Sequence, residues 1–239
     1  MKYAKTALSA IILLGLSVLV LPGMQAPHPT LHQFFTTAHG ASVIPVTKRK
    51  GELYVLLARE AAGNDKGTYD AFGGSKDPGE THPNDTASRE LAEETVYLLG
   101  NEQHLRNYID IDNGHTKNII ANYNKRFVVY ITEFHHDKLD KLIQEFHARR
   151  NSATSFKFKE KDKLAWIKYD DLKDAIANAR RDNTGRLITP IMVKAYVHEK
   201  SGQVCKTIPL RPVFASSLQR FFQGKPATDT GHNPKILFY

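Results

Sequence analysis

Cysteine is nearly missing from this chain: Cys205 is its single occurrence in 239 residues. No intramolecular disulfide can form, and a thiolate zinc site would need ligands the sequence does not have. Cys205 lies in GQVCKTIPL with no histidine beside it, so it is expected as a half-buried small side chain on a strand, not as a nucleophile. Runs of five or six consecutive Lys or Arg are absent, and so is any RNA-binding signature. The 11 histidines contain no pair at the spacing of a helical zinc motif and are expected at the surface. Internal repeats and low-complexity segments are missing as well. The formal charge is nevertheless +8. That balance suits an anionic partner, whether nucleotide, nucleic acid or acidic lipid. Without a polybasic run, nucleic acid is not expected as the main partner.

What is present is ordinary globular material, 41% hydrophobic and 24% charged, enough to pack a core. The first 26 residues stand apart. Lys2 and Lys5 precede an almost unbroken apolar run from Ala7 to Leu21, Pro22 and Gly23 break it, and Ala26 follows. This is the layout of a secretory signal peptide and implies export to a periplasmic or extracellular space. As a helix the run rises only about 22 Å, short of a roughly 30 Å hydrocarbon core. An uncleaved membrane anchor is the alternative. Residues 27–40 read as a linker.

From Ala41 onward strands and helices mix without a regular alternation, which argues for an α+β fold. ASVIPV and ELYVLLAR, joined by TKRKG, predict a hairpin, and GTYDAF predicts a third short strand. Residues 84–99 have helical periodicity, with Gly100 as the stop. YIDID and KRFVVYITEF are expected as strands, and DKLDKLIQEFHARR as a helix. KLAWIKYDDLKDAIANAR predicts a strand through Trp166 and then a helix capped by Asp170 or Asp171. TPIMVKAYVHEK is expected as a last helix with Pro190 near its start. The domain is taken as 41–200, and 201–239 as a C-terminal extension without an assigned structure.

The chemistry concentrates in GGSKDPGETHPNDTASRELAEETV, residues 73–96. Glu90, Glu93 and Glu94 stand at i, i+3 and i+4, so they share one helix face and repel one another unless a cation sits among them. A hard divalent ion with oxygen ligands, Mg²⁺ or Mn²⁺, answers that need. Arg89 points about 100° away from Glu90 and is not expected to neutralise the three alone. Gly73 and Gly74 permit close approach to the backbone, and a loop carbonyl there is a candidate metal ligand. Glu80, after the Pro78-Gly79 turn, is placed to fold back on Arg89.

This stretch resembles the Nudix box: Gly74, five residues, Glu80, then Arg89-Glu90-Leu91-Ala92-Glu93-Glu94. Eight residues instead of seven separate Glu80 from Arg89, and Val96 stands where the pattern closes with Gly. A valine avoids the left-handed conformation of that glycine, so the helix is expected to run on to Gly100. The resemblance implies an α/β/α sandwich with a mixed sheet. It also implies metal-dependent hydrolysis of a nucleoside diphosphate linked to another group, in which an activated water attacks phosphorus. On matched positions Glu93 and Glu94 become metal ligands, Glu90 a ligand or water activator, and the Gly73 or Gly74 carbonyl a further ligand. Glu160, Asp162 and Glu133 are candidates for an additional acid. Outside the box, Arg59, Lys125 and Arg126 are candidates to hold phosphate, and Tyr69, Phe72 and Tyr123 to stack on a base. The competing readings are a catalytically silent nucleotide- or partner-binding module of the same fold, and a membrane-tethered interaction protein.

Overall fold

The computed structural model describes residues 31–122, 125–135, 139–184, 187–199, 202–223 and 235–238. The segment read as a signal peptide or anchor, and Tyr123, lie outside them. No helix among the described residues is long and apolar enough to cross a membrane. In chain order the elements are α1 (Leu31–Thr37), β1 (Gly40–Arg49), β2 (Glu52–Glu60), β3 (Tyr69–Asp70), β4 (Phe72–Ser75), α2 (Pro83–Glu94) and α3 (Glu102–Ile109). There follow β5 (Thr116–Asn122), β6 (Phe127–Glu133), α4 (Leu139–Ser152), β7 (Lys161–Lys168), α5 (Tyr169–Ala177), β8 (Ile191–Glu199), β9 (Gly202–Leu210), α6 (Pro212–Gln223) and β10 (Lys235–Phe238).

The expected hairpin forms: β1 and β2 pair antiparallel with Val46 opposite Val55 and Arg49 opposite Glu52. Lys50 and Gly51 turn it with φ of 50° and 82°, the two positive values a tight hairpin requires. β6 runs parallel to β1, so the sheet is mixed. β2 also pairs with β7, and β7, β8, β9 and β3 lead back to β2, closing a circuit of strands. Residues alternate between two apolar clusters. Val43, Leu56, Tyr130 and Trp166 face α1 to α4, with Phe34, Leu91, Leu105 and Phe146. Ile44, Leu57, Ile131 and Ile167 face α5 and α6, with Leu172, Ile176, Phe214 and Leu218. The result is an α/β/α sandwich of the α+β class.

Several local expectations are corrected. Residues 31–37 form α1, and Phe34 and Phe35 are buried, so this part of the presumed linker anchors the core. YIDID is not a strand: α3 covers its start because Asn101 accepts the His104 amide at 2.8 Å and nucleates a helix that buries Leu105 and Ile109. Residues 191–199 are a strand, not a helix. Ile191, Val193, Ala195 and Val197 are buried at every second position, a period that outranks the proline upstream. Beyond 201 the chain continues the same sheet, with β9 in register with β8 along its whole length. Cys205 is exposed there, not half-buried. Asp170 and Asp171 lie inside the first turn of α5 and do not cap it.

The largest correction concerns α2, which stops at Glu94 instead of running to Gly100. Val96 and Tyr97 both take positive φ, 53° and 57°. The Val96 amide donates to the Glu93 carbonyl at 3.0 Å and the Tyr97 amide to the Ala92 carbonyl at 2.7 Å. This is the hydrogen-bond pattern of a glycine-terminated helix, made without glycine. The left-handed conformation costs a non-glycine residue about 1–2 kcal/mol. Packing offsets that cost: Val96 is buried, Tyr97 meets the Phe158 ring edge-on at 5.4 Å, and Arg149 donates to the Val96 and Tyr97 carbonyls at 3.4 and 3.0 Å. Replacing Arg149 by Met should therefore cost about 1 kcal/mol in chemical denaturation, while an unchanged midpoint would show that the turn needs no guanidinium.

Candidate active site

α2 begins with Pro83 at its first turn and a reciprocal cap. His82 Nδ1 accepts the Asn84 amide at 3.2 Å, and the Asp85 carboxylate accepts the His82 amide at 3.0 Å. The cap falls at His82, two residues after Glu80, and Glu90, Glu93 and Glu94 follow on one helical face. Glu90, Glu93 and Glu94 then fall in the last turns, where the helix dipole disfavours negative charge and the last turn carries no basic residue. All three are buried, 8, 9 and 3% exposed respectively. Such a cluster persists only with cations placed beside it.

Arg89 supplies one, contrary to the expectation that it points away. Its side chain lies along the helix, and the fork donates from Nε to Glu80 at 2.7 Å and from Nη1 to Glu90 at 2.9 Å and Glu93 at 3.3 Å. Nη2 reaches the Ser75 carbonyl at 3.0 Å. The expected Glu80–Arg89 pairing is thus present. Burial opposes ionisation of Glu80, but hydrogen bonds from Arg89, Thr86 and the Asp77 amide outweigh it and hold the carboxyl below its usual range. Lys157, from the 3-10 turn Phe156–Lys159, donates to Glu93 at 3.0 Å.

Glu94 is served differently. Its Oε2 accepts the Gly73 amide at 2.9 Å, and its Oε1 lies 3.2 Å from the ammonium of Lys161. Lys161 opens β7, is 2% exposed and also donates to Glu60 at 2.5 Å. Burial pulls its pKa down, yet Glu94 and Glu60 hold it above the ordinary lysine value. Burial pushes Glu94 well up against the pull of Lys161, and raises Glu90 against that of Arg89.

Gly73 sits close against the β1 backbone, and Gly74 against the Glu90 side chain. A Cβ on Gly74 would fall 2.3 Å from Glu90 Oε1, and one on Gly73 would fall 2.2 Å from Ser42 Cβ. Glu90, Glu94 and Glu160 each present a carboxylate oxygen within 4.8 Å of the others. Three convergent hard oxygen donors fit Mg²⁺ or Mn²⁺. Glu160, just before β7, joins Glu90 and Glu94, while Glu93, held by Lys157 and Arg89, stands outside this trio.

The remaining candidates disperse. Asp162 is no free acid, because Arg59 binds both its oxygens at 2.7 Å, and the same pair occupies Arg59. Tyr69 is 3% exposed and Phe72 fully buried, so neither ring offers a face to a base. Arg126 is exposed beside His39, at 3.2 Å. Glu133 lies at the opposite end of β6 from the Phe127–Gly40 pairing that adjoins Ser75, and pairs with Lys117 and Lys48. Lys125 lines a cavity of about 320 Å³ against Gly73, Gly74, Phe127 and Phe214. A second cleft, about 380 Å³, is lined by Glu60, Glu94, Glu160 and Lys161, and both share Gly73 and Arg211. Sequence reasoning missed Lys157, Lys161, Glu60 and Arg211. KFKEKDK looks like a solvated charge run, and its single usable signal is that Lys161 abuts the buried strand LAWI.

A model of the NUDIX domain matches residues 36–187, more than half of the chain. The chain belongs to the Nudix family, a class of hydrolases of phosphoric anhydride bonds. It is similar to a MutT/nudix family protein from Enterococcus faecalis, at 11% identity over 77% of this chain and 60% of that one, with a TM-score of 0.38. It is also similar to RenU, a Nudix hydrolase from M. smegmatis, at 15% identity, 79% and 86% coverage and a TM-score of 0.34. A C. elegans Ap4A hydrolase binary complex matches at 18% identity, 58% and 83% coverage and a TM-score of 0.35. Among curated proteins none matches the chain in sequence.

Two substitutions check this geometry. Arg89→Ala removes the guanidinium shared by Glu80 and the buried Glu90 and Glu93 and should lower stability by about 3 kcal/mol; a melting curve like that of the parent would refute the guanidinium's bridging role. Gly74→Ala drives the Glu90 carboxylate from its place. It should weaken Mn²⁺ binding at least tenfold in calorimetry with little loss of secondary structure, and intact affinity would show that Glu90 is not confined by this glycine.

Proposed function

We propose that the chain is a metal-dependent pyrophosphohydrolase that cleaves a nucleoside diphosphate linked to another group, and that it acts after export. The convergence of Glu90, Glu94 and Glu160 on one point carries the reading. A divalent ion held by these three would neutralise charge on the phosphate oxygens and make a water more acidic. The chain's own groups supply the rest. A water oxygen forms the new bond to phosphorus, the bridging P–O bond breaks, and the water's proton passes to a carboxylate. Glu90, whose affinity for a proton is raised by burial, is the acceptor in this scheme. Lys157, beside Glu93, and Lys125, on the cavity next to Gly74, bring positive charge to the phosphates.

Two clefts meeting at Gly73 and Arg211 suit a substrate with two unlike ends. The acidic cleft takes the diphosphate with its cation. The cavity bounded by Phe127, Val129 and Phe214 takes a flat or apolar group, with Asn122 and Lys125 as polar anchors. The apolar run from Ala7 to Leu21 between Lys5 and Pro22 supports export.

The test is product release by the full chain from ADP-ribose, dinucleoside polyphosphates, nucleotide sugars and oxidised nucleoside triphosphates, with Mg²⁺, Mn²⁺ or EDTA. Turnover of one class should require the divalent ion and fall at least about a hundredfold in Glu94→Gln. Turnover that survives EDTA would sink the metal-dependent scheme. Absence of turnover together with absence of metal binding would leave a nucleotide-binding module as the better description.

A further inference from the structure

Lys161 is a buried cation at the site that the hydrolytic scheme does not use. It is buried, and its ammonium lies between two carboxylates, 2.5 Å from Glu60 and 3.2 Å from Glu94. Asp70 is close enough for its charge to bear on the lysine as well. Glu60 and Asp70 are in turn tied to Arg211, at 3.8 and 2.9 Å. Glu94 also belongs to the trio it forms with Glu90 and Glu160. Glu94 therefore serves two cation positions, one suited to a divalent ion and the other already filled by the chain.

We propose that Lys161 is a resident cation that takes the place of a second divalent ion between Glu60 and Glu94, so that the site holds a single metal ion. The inference rests on the proposed metal centre at Glu90, Glu94 and Glu160. Carboxylates placed on both sides of a point are the donor set of a hard cation. An ammonium satisfies the same oxygens by donating hydrogen bonds, brings one positive charge in place of two, and cannot exchange with solvent. A divalent ion cannot enter the Glu60–Glu94 gap while Nζ fills it. Lys161 also fixes one oxygen of Glu94 while the Gly73 amide fixes the other, so this ligand is oriented before any metal arrives. Lys161 is thus a positioning residue that also sets the metal count.

The experiment counts Mn²⁺ bound to the full chain, by calorimetry and by the paramagnetic resonance of free and bound ion, in the parent, Lys161→Met and Lys161→Arg. One ion per chain is expected in the parent and in Lys161→Arg. Lys161→Met should take up a second ion, spin-coupled to the first, and its melting temperature should rise more with Mn²⁺ than that of the parent. If the methionine variant unfolds without metal, refolding it in millimolar Mn²⁺ should recover a chain carrying two ions. A folded Lys161→Met chain with one ion at the parent's affinity overturns the proposal. So does a Lys161→Met chain that no Mn²⁺ concentration folds, since the ion then does not replace the ammonium. A parent that binds no Mn²⁺ removes the metal centre itself, an outcome distinct from either.

Discussion

Like charges held together at the wrong end of a helix dominate this molecule. Glu90, Glu93 and Glu94 occupy the final turns of α2, where backbone carbonyls already make the surroundings negative, and burial denies them water. Other parts of the chain bring charge to that point. The 73–81 loop is folded so that Arg89 reaches Glu80 without leaving Glu90 and Glu93. The segment between α4 and β7 delivers Lys157, Glu160 and Lys161 within five positions, two cations bracketing one further acid. Arg150 ties that segment down by donating to the Lys159 and Lys161 carbonyls, so α4 serves the site although none of its side chains joins the carboxylates.

The helix of glutamates was legible because its signal is local: spacing on one face, a preceding turn and paired glycines. The pairing of Glu80 with Arg89 followed from the same few residues. What escaped was set by the tertiary fold. Lys161 looks like any lysine in a charged run until β7 is placed beside β2 and its side chain is driven inward. Asp162, one position on, is an equally plausible acid in sequence, but the pairing with Arg59 takes it out of use. Tyr69 has the chemistry of a stacking residue and the burial of a core residue. The misread helix at 191–199 has a related cause. Its alternation is clear once β7 and β9 flank it, but in isolation Met, Lys, Tyr and His at the intervening positions are compatible with either period.

The C-terminal part is bound into the same design. β9 completes the strand circuit, and Arg211 just beyond it joins Asp65 on the loop after β2 to Asp70 on β3. Phe214 and Ser217 of α6 wall the cavity beside Gly74. A boundary drawn at residue 200 would divide the core and one wall of the candidate site, so the segment beyond the matched family region is part of that face.

The turn after Glu94 shows what a signature residue stands for. The bonds from Val96 and Tyr97 back into the helix are those a glycine would permit cheaply, and the chain makes them with two bulky residues held from outside. What the turn preserves is the shape of the exit, which ends the helix at Glu94 and leaves the 156–161 segment room beside it. Glycine is one implementation of that shape; here a distant arginine and a phenylalanine carry the burden instead.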